Sequence, residues 1–240
     1  MKFLWVWLAL SALGFCATVS VEKRFQPQAM TFSVVIPCSG VHFQHLEPLL
    51  QEYAHQTRLP DDVVVALSLV ETLRKEEISA LESYPWPFRF LLLKHEGKRS
   101  AGMNRNVACT RATGDVILCQ DADDLPHPQR VEIVKYLFEN YEIEHLMHEW
   151  VGPGQDFPLY APEEILPERF KKYDDITWEV HNGNVSLLRS LTRNTHWDDV
   201  FFCDHDTHFN RWIYRRCKNT AVIHSKLVMY RRYLSSFLCD

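Results

Sequence analysis

The sequence predicts an α/β protein whose central sheet is mainly parallel and carries helices on both faces. Short apolar runs alternate along the chain with stretches that have apolar residues at helical spacing, and turn residues separate them. Strands that alternate with helices form βαβ units, and such units pair their strands in parallel. The chain has 240 residues, of which 46% are hydrophobic, so it can bury one sizeable core.

The first part of the chain contains four predicted strands and four predicted helices. Each strand is an apolar run bounded by polar or turn residues, and each helix carries one apolar face. Pro128 opens the fourth helix, because proline is well tolerated in a first turn. In chain order we predict strand 32–36, helix 42–56, strand 63–67, helix 73–84, strand 88–93, helix 100–112, strand 116–119 and helix 128–141.

The pattern is looser beyond residue 151. Proline and glycine cluster between residues 151 and 158, which predicts a long loop of the kind that often carries function. A strand-like segment at 180–188, a helix at 204–216 and a final strand at 227–230 follow. We therefore divide the chain into an N-terminal segment, 1–30, and one domain, 31–240.

An uncharged apolar segment from Phe3 to Val21 precedes the first predicted strand. Its length is close to that of a membrane-spanning helix, and Trp5 and Trp7 lie near one end, as in interfacial belts. A cleaved signal peptide is the alternative, although no clean cleavage site follows. Residues 22–30 would form a short stem. We expect the secretory pathway, with either a single-pass membrane protein of the endoplasmic reticulum or Golgi or a secreted protein.

The overall charge excludes one class of partner. The formal net charge is -5, whereas proteins that bind nucleic acid need a basic footprint. We therefore predict no nucleic-acid partner.

Three carboxylates follow the fourth predicted strand directly. Asp121, Asp123 and Asp124 come after Gln120, and the carboxyl ends of buried strands are where open α/β sheets bind ligands. Carboxylate oxygens suit Mg²⁺ or Mn²⁺, which proteins commonly hold through one or two carboxylates together with substrate phosphates. A solvated acidic turn is the alternative, because an Asp-x-Asp pattern alone is common.

An ordered set of short motifs resembles the nucleotide-sugar domain of the inverting GT-A glycosyltransferases called family 2. Each motif alone is weak, but the set follows the order of the family from about residue 31 to 233, which makes the acidic turn the weaker interpretation. The motifs are FSVVIP (32–37), AGMNRNVA (101–108), ATGDVIL (112–118), DADD (121–124), HNGNVSLLR (181–189), CDHD (203–206), TAVIH (220–224) and LVMYR (227–231).

The resemblance implies a GT-A, Rossmann-like fold with a nucleotide-sugar half, 31–125, and an acceptor half, 126–240. It also implies an inverting, metal-dependent glycosyltransferase. Such an enzyme moves a sugar from a nucleotide-diphosphate sugar, with a UDP-sugar as the expected donor, to a hydroxyl of a glycan, lipid or protein.

The resemblance further implies roles for single residues. Asp206 would be the general base, with Asp204 in reserve, although both acids also suit the start of a helix. Asp121, Asp123 and His224 would hold Mn²⁺ or Mg²⁺, while an ordinary surface or core histidine is the alternative for His224. The expected donor-side residues are Pro37, Ser39, Ser68, Glu71, Arg105 and Asp121, and the expected acceptor-side residues are His181, Asn182 and Gly183.

Two departures from the family pattern keep other functions open. Leu67 and Ser68 stand where the family usually has paired aspartates, and the CDHD motif lacks the usual glutamate. A catalytically degenerate module of the same fold, which would bind carbohydrate or protein, is therefore the alternative function. A nucleotidyltransferase would require a glycine-rich basic loop after the first strand, and residues 38–42 do not provide one.

Overall fold

The computed structural model describes residues 19–170, 172–175, 180–193, 195–198 and 205–231. Short 3₁₀ turns connect several of its elements. The strands and helices are, in chain order, β1 (Val19–Ser20), β2 (Phe32–Ser39), α1 (Leu46–Ala54), β3 (Asp62–Ser68), α2 (Lys75–Ser83), β4 (Arg89–Lys94), α3 (Ala101–Arg111), β5 (Val116–Cys119), β6 (Leu125–Pro126), α4 (Arg130–Asn140), β7 (His145–Val151), β8 (Glu168–Arg169), β9 (Val185–Leu188), α5 (His205–Arg216) and β10 (Thr220–Met229).

One ten-stranded sheet runs through the described residues in the order β1-β8-β10-β7-β9-β5-β2-β3-β4, with β6 paired to β10. Strands β5, β2, β3 and β4 are parallel, which confirms the parallel pairing predicted for these four strands. Strand β9 lies antiparallel between β5 and β7. The sheet as a whole is therefore mixed, where the sequence predicted a mainly parallel one.

Helices cover both faces of the sheet, as predicted. Helices α1, α2 and α4 contribute Leu50, Leu81 and Val134 to one core, and α3 and α5 contribute to the other. Successive residues of a strand point to opposite faces, and in β2 Val34 belongs to the first core and Val35 to the second. Buried on both sides, these strands are continuous apolar runs, which is why the sequence located them well.

The parallel strands bring their carboxyl ends to one edge. Ser39 at the end of β2 pairs with Ser68 at the end of β3, and Val35 in β2 pairs with Cys119, the last residue of β5. The loop that follows β2 and the acidic turn that follows β5 therefore leave the sheet side by side.

Strand β7 is absent from the sequence prediction. Its sequence, HLMHEWV, contains two histidines, yet it lies inside the sheet between β9 and β10, and His145 and His148 are fully buried. Polar residues inside a central strand break the apolar run by which such strands are found. Strand β10 begins at Thr220, earlier than the predicted 227, and the predicted strand 180–188 is shortened by a 3₁₀ turn at Asn182–Asn184.

The chain joins the sheet earlier than predicted. We expected no sheet element before Thr31, but Val19 and Ser20 pair antiparallel with β8. Val21 is buried, and its N–H donates to the carbonyl of Pro167 at 3.2 Å. These two contacts correct the prediction that a membrane-spanning helix extends to Val21.

Residues after Val21 also contact the domain. The Arg24 side chain donates to the carbonyls of Phe138 and Tyr141 at the end of α4, at 3.3 and 3.0 Å. The predicted stem, 22–30, is therefore packed against the domain in part. Most of the predicted apolar segment, residues 3–18, lies outside the described residues. Among those described, no helix is long and apolar enough to span a membrane.

Candidate functional site

The carboxyl ends of β2, β3 and β5 open into a cleft of about 530 Å³. A volume of this size is typical of small-molecule sites. Four predicted donor-side residues, Pro37, Ser39, Arg105 and Asp121, lie in its lining. The other lining residues are Cys38, Val41, His42, Leu69, Lys98, Arg99, Ala101, Asn104, Ala122, Asp123 and Tyr230.

The acidic turn after β5 is held in place by Arg231, which follows β10. The N–H of Asp124 donates to the carbonyl of Asp121 at 3.3 Å, which closes the turn. The Asp124 carboxylate accepts the N–H of Arg231 at 2.8 Å, and Arg231 Nε donates to the carbonyl of Asp123 at 2.7 Å. Asp124 is buried and is not among the residues that line the cleft.

Two of these aspartates have raised pKa values. Burial and the neighbouring Asp121 raise the pKa of Asp123, and the same two causes raise the pKa of Asp124 well above its usual value. His42 Nδ1 lies 3.9 Å from Asp123 Oδ2 and opposes the shift of Asp123. Positive charge beside this turn would therefore favour its ionised form.

Asp121 and Asp123 are the side chains that could hold a divalent cation. No three His, Cys, Asp or Glu side chains of the described residues form a ready-made metal site. Mg²⁺ and Mn²⁺, however, are often bound by one or two carboxylates together with phosphate oxygens. The acidic donor set of Asp121 and Asp123 fits a cation that binds together with phosphates.

The structure does not bring His224 to these aspartates. Its Nδ1 lies 2.8 Å from Glu149 Oε1 and its Nε2 lies 3.9 Å from Glu168 Oε2. Arg231 is the residue of this segment that reaches the acidic turn, and an extended strand separates it from His224 by on the order of 20 Å. The strand directs this histidine to β7 and β8 instead, and its metal-ligand role stays a prediction.

Arg105, on α3, connects two groups of acids. Its side chain is 3% exposed, and its guanidinium hydrogen-bonds Asp121 Oδ1 and lies 3.3 Å from Asp206 Oδ1. Burial alone would lower the pKa of Arg105, but Asp121 and Asp206 together raise it. The predicted contact of Arg105 was with the donor, and the structure adds two carboxylates that share its charge.

Asp206 lies in the first turn of α5 and faces the predicted acceptor-side loop. Its Oδ2 accepts the backbone N–H of Asn182 at 3.1 Å, and its Oδ1 accepts a hydrogen bond from the Asn182 side chain. The His181 ring stacks on Tyr230, a cleft residue, with centroids 4.2 Å apart. The candidate base and the acceptor-side loop are thus brought together, while Asp204 lies outside the described residues.

Gly183 allows the acceptor-side loop to approach the acidic turn. A Cβ at this position would lie 2.9 Å from Asp121 Oδ2 and 3.5 Å from Asp124 Oδ2. The first distance is shorter than a carbon–oxygen contact allows, so any larger residue would push the loop and the turn apart.

Ser68 supports the cleft from behind. It is fully buried, and its hydroxyl donates to the carbonyl of Cys38 at 3.4 Å. The side-chain amide of Asn104 donates to the same carbonyl and to Ser68 Oγ, at 3.0 and 3.1 Å. These bonds join β2, β3 and α3 below the cleft floor, and the lining of the cleft does not include Ser68.

Glu71 contacts the loop that follows β4 and does not line the cleft itself. Its carboxylate accepts the N–H of Gly97 at 3.1 Å. Lys98 and Arg99, which follow Gly97, lie in the cleft lining, whereas Glu71 itself does not. Glu71 therefore holds the segment that brings two cations to the cleft.

The sequence prediction missed Arg130, the first residue of α4. This arginine is fully buried, and one nitrogen of its guanidinium donates to the carbonyls of Cys119 and Gly183, each at 2.7 Å. A second nitrogen donates to the Gln120 side chain. Arg130 thereby joins the end of β5 to the acceptor-side loop. In the sequence Arg130 looks like a surface cation near the start of a helix. Only the tertiary structure shows that it is buried and joins two parts of the site.

Comparison with protein families identifies residues 33–201, more than half of the chain, as a match to the family described as "Glycosyl transferase family 2". Two curated relatives are described only as uncharacterized glycosyltransferases. The protein from Methanocaldococcus jannaschii is 28% identical over 146 residues, which are 59% of this chain and 50% of that protein. The protein from Haemophilus influenzae is 26% identical over 144 residues, 57% of this chain and 47% of that protein. The matched segment thus spans about half the length of these relatives.

Solved structures with the same fold bind nucleotide sugars. TarS of S. aureus, residues 1–349 in complex with UDP-GlcNAc, has a TM-score of 0.68 at 17% identity, covering 85% of this chain and 59% of that chain. The mannosyltransferase PcManGT from Pyrobaculum calidifontis, in complex with GDP-Man and Mn²⁺, has a TM-score of 0.56 at 18% identity, covering 84% and 59%.

Proposed function

The chain belongs to glycosyltransferase family 2, and from that premise we propose that it is a metal-dependent, inverting enzyme that transfers a sugar from a nucleotide-diphosphate sugar to an acceptor hydroxyl. One observation carries the proposal. Arg105 contacts Asp121, in the lining of the donor cleft, and Asp206, beside the acceptor-side loop. A leaving-group site and a candidate base therefore lie on two sides of one buried cation.

The donor side has the groups that a nucleoside diphosphate requires. Pro37 and Ser39 line the cleft where β2 ends, and Lys98 and Arg99 supply positive charge for phosphates. Asp121 and Asp123 would hold Mn²⁺ or Mg²⁺, and the bound ion would neutralise the charge that develops on the departing diphosphate. The complexes of TarS with UDP-GlcNAc and of PcManGT with GDP-Man and Mn²⁺ support this assignment. We take a UDP-sugar as the first donor to test.

On the acceptor side, Asp206 would remove the proton from the attacking hydroxyl. Its carboxylate is 24% exposed, so a substrate can reach it, and Asn182 and Arg105 fix its orientation. A hydroxyl activated here would attack the sugar on the face opposite the diphosphate, which inverts the anomeric carbon. A positioned base contributes about 10²- to 10⁴-fold to such a step. The acceptor class, whether glycan, lipid or protein, stays open.

The apolar N-terminal sequence bears on where the protein is located. Residues 3–18 carry no charge, which favours a membrane anchor or a cleaved signal peptide and entry into the secretory pathway.

A non-catalytic binding module is the second candidate. The observation that favours it is the ion pair between Arg105 and Asp206, which already engages the carboxylate that is proposed as the base. Serine at position 68, where the family usually has an aspartate, points the same way.

Release of nucleoside diphosphate from UDP- and GDP-sugars, measured with Mn²⁺, separates the two candidates. We expect turnover by the wild type and a loss of about 10²- to 10⁴-fold in Asp206→Asn, with unchanged affinity for the nucleoside diphosphate. Asp156→Asn, at an exposed position in the loop after β7, is the matched control. Tight binding of nucleoside diphosphate without any turnover would establish the binding module instead.

A further inference from the structure

A chain of buried polar side chains runs from the middle of the sheet to Asp206. It begins at His145 on β7, continues through Asn210 on α5 and Asn182 in the acceptor-side loop, and all three residues are fully buried. His145 Nε2 lies 3.2 Å from Asn210 Oδ1, and the Asn210 amide nitrogen donates to Asn182 Oδ1 at 3.2 Å. The Asn182 amide nitrogen in turn donates to Asp206 Oδ1.

The direction of every hydrogen bond in this chain is fixed. The Asn210 amide nitrogen also lies 2.9 Å from the backbone carbonyl of Asp206, and a carbonyl oxygen can only accept. A flipped Asn210 amide would bring its oxygen against this carbonyl and against Asn182 Oδ1. The observed orientation is therefore the one that satisfies both contacts, and it directs the Asn210 oxygen at His145.

The tautomer of His145 follows from this orientation. Because Asn210 presents an oxygen, His145 must carry its proton on Nε2 in order to donate to it. The other ring nitrogen, Nδ1, lies 3.4 Å from the hydroxyl of Thr220, which can donate to it. Burial lowers the pKa of His145 to about 4, with the hydrogen bond to Asn210 opposing the shift, so the ring is neutral at physiological pH.

We propose that His145 and Asn210 are positioning residues for catalysis: they orient the Asn182 side chain so that it donates to the carboxylate of Asp206. The inference rests on the proposed function, because it assigns Asp206 the role of base. Every donor in the chain points toward Asp206, and hydrogen bonds aligned in one direction strengthen one another. The chain thus holds the carboxylate at one angle between α5 and the acceptor-side loop.

The test compares variants that keep or remove the donor. His145→Gln keeps an amide N–H that can reach Asn210, whereas His145→Phe and Asn210→Leu keep the bulk and remove the hydrogen bonds. Asn140→Ala is the control, because this side chain, at the end of α4, donates to the Tyr136 carbonyl of its own helix. The readouts are kcat and KM for the donor sugar, calorimetric binding of UDP with Mn²⁺, and the tautomer of His145 in ¹⁵N-histidine NMR spectra.

We expect kcat to fall by about 10- to 100-fold in His145→Phe and Asn210→Leu, while donor KM and UDP affinity stay near the wild-type values. His145→Gln should recover most of the lost turnover. The spectra should show a protonated Nε2 and an unprotonated Nδ1 on His145 from about pH 5 to pH 8, whether or not the enzyme turns over.

Any one of the following results would overturn the inference. A proton on Nδ1 would contradict the chain itself, and wild-type kcat in Asn210→Leu would contradict its role. If Asn210→Leu does not fold, equal kcat in His145→Phe and His145→Gln would have the same meaning. A wild type that binds UDP but never turns over would overturn the proposed function as well, whereas an active wild type with unaffected variants would overturn this inference alone.

Discussion

The guanidinium of Arg105 lies 3.3 Å from the carboxylate of Asp206. These residues come from α3 and α5, which belong to the two predicted halves of the domain, 31–125 and 126–240. Since the same guanidinium also hydrogen-bonds Asp121, one buried charge contacts both a carboxylate of the cleft lining and the candidate base.

Arg105→Met should destabilise the protein by about 3 kcal/mol, because it removes one partner of a buried ion pair and leaves two carboxylates facing each other. Arg105→Lys keeps the charge but cannot reach both acids with one planar group, so an intermediate loss is expected. Urea unfolding of the three proteins at neutral pH measures this. Equal midpoints for wild type and Arg105→Met would contradict the structural role.

Nucleoside diphosphate binding should depend on the cation. Asp123→Asn, or chelation of the metal, should weaken UDP binding on the order of 100-fold, which is the upper end of the loss seen when an outer partner of a metal ligand is removed. Calorimetry with and without Mn²⁺ tests this, and Asp156→Asn, at an exposed position, is the control. Equal UDP affinity in both conditions would refute the metal site.

Gly183→Ala should damage the site although it adds only one methyl group. The new Cβ would lie 2.9 Å from Asp121 Oδ2, and Asp121 cannot withdraw without losing Arg105. We expect about 1 to 3 kcal/mol of lost stability and weaker UDP binding with Mn²⁺. Gly152→Ala is the matched control, since its Cβ would meet only the Gln155 side chain, at 4.0 Å. Similar behaviour of the two variants would contradict the close approach.

Stability should fall between pH 7 and pH 5 because of buried histidine. The pKa of His145 in the folded state, about 4, is below its unfolded value of about 6.5. The unfolded chain therefore binds the extra proton first, and stability decreases as the pH falls through about 6.5. His145 should contribute about 2 kcal/mol of this loss between pH 7 and pH 5. Denaturant unfolding at both pH values should show a smaller loss in His145→Gln, and an equal loss would contradict the prediction.

Truncation should distinguish the first 18 residues from the next six. A free stem at residues 22–30 would tolerate removal of residues 1–24, but Val21 is buried and Arg24 donates to two carbonyls at the end of α4. A chain that starts at residue 25 should therefore be less stable than one that starts at 19, by about 2 to 3 kcal/mol. Thermal unfolding of both, with Val21→Ala in the longer chain, checks this. Equal melting temperatures would support the prediction that residues 22–30 form a free stem.

The sequence was sufficient for the parts of the fold that depend on local pattern. Strands β2 to β5 are apolar runs and their helices are amphipathic, so both were found within a few residues. Asp121 and Asp123 were found for the same reason, because an apolar run ends at them. The resemblance to a family added the relation between Asp206 and the loop around Gly183, which no local pattern contains.

The other features of the fold and of the site depend on tertiary contacts, which leave no periodic pattern in the sequence. Strand β7 carries His145 and His148, whose burial is possible only because polar partners or neutrality compensate for it. Arg130 resembles an exposed helix residue until its carbonyl partners are known. His224 was assigned by motif alone, and motif order does not tell how far along a strand a side chain lies.

The position of β9 between β5 and β7 has a consequence for any attempt to divide the molecule. A fragment that ended at residue 125 would lack β9, so β5 would present a full row of unpaired N–H and C=O groups on that side. Bare edges of this kind recruit strands from other molecules and promote aggregation. Residues 126–240 therefore also cover the edge of β5, and we expect a fragment of residues 31–125 expressed alone to aggregate.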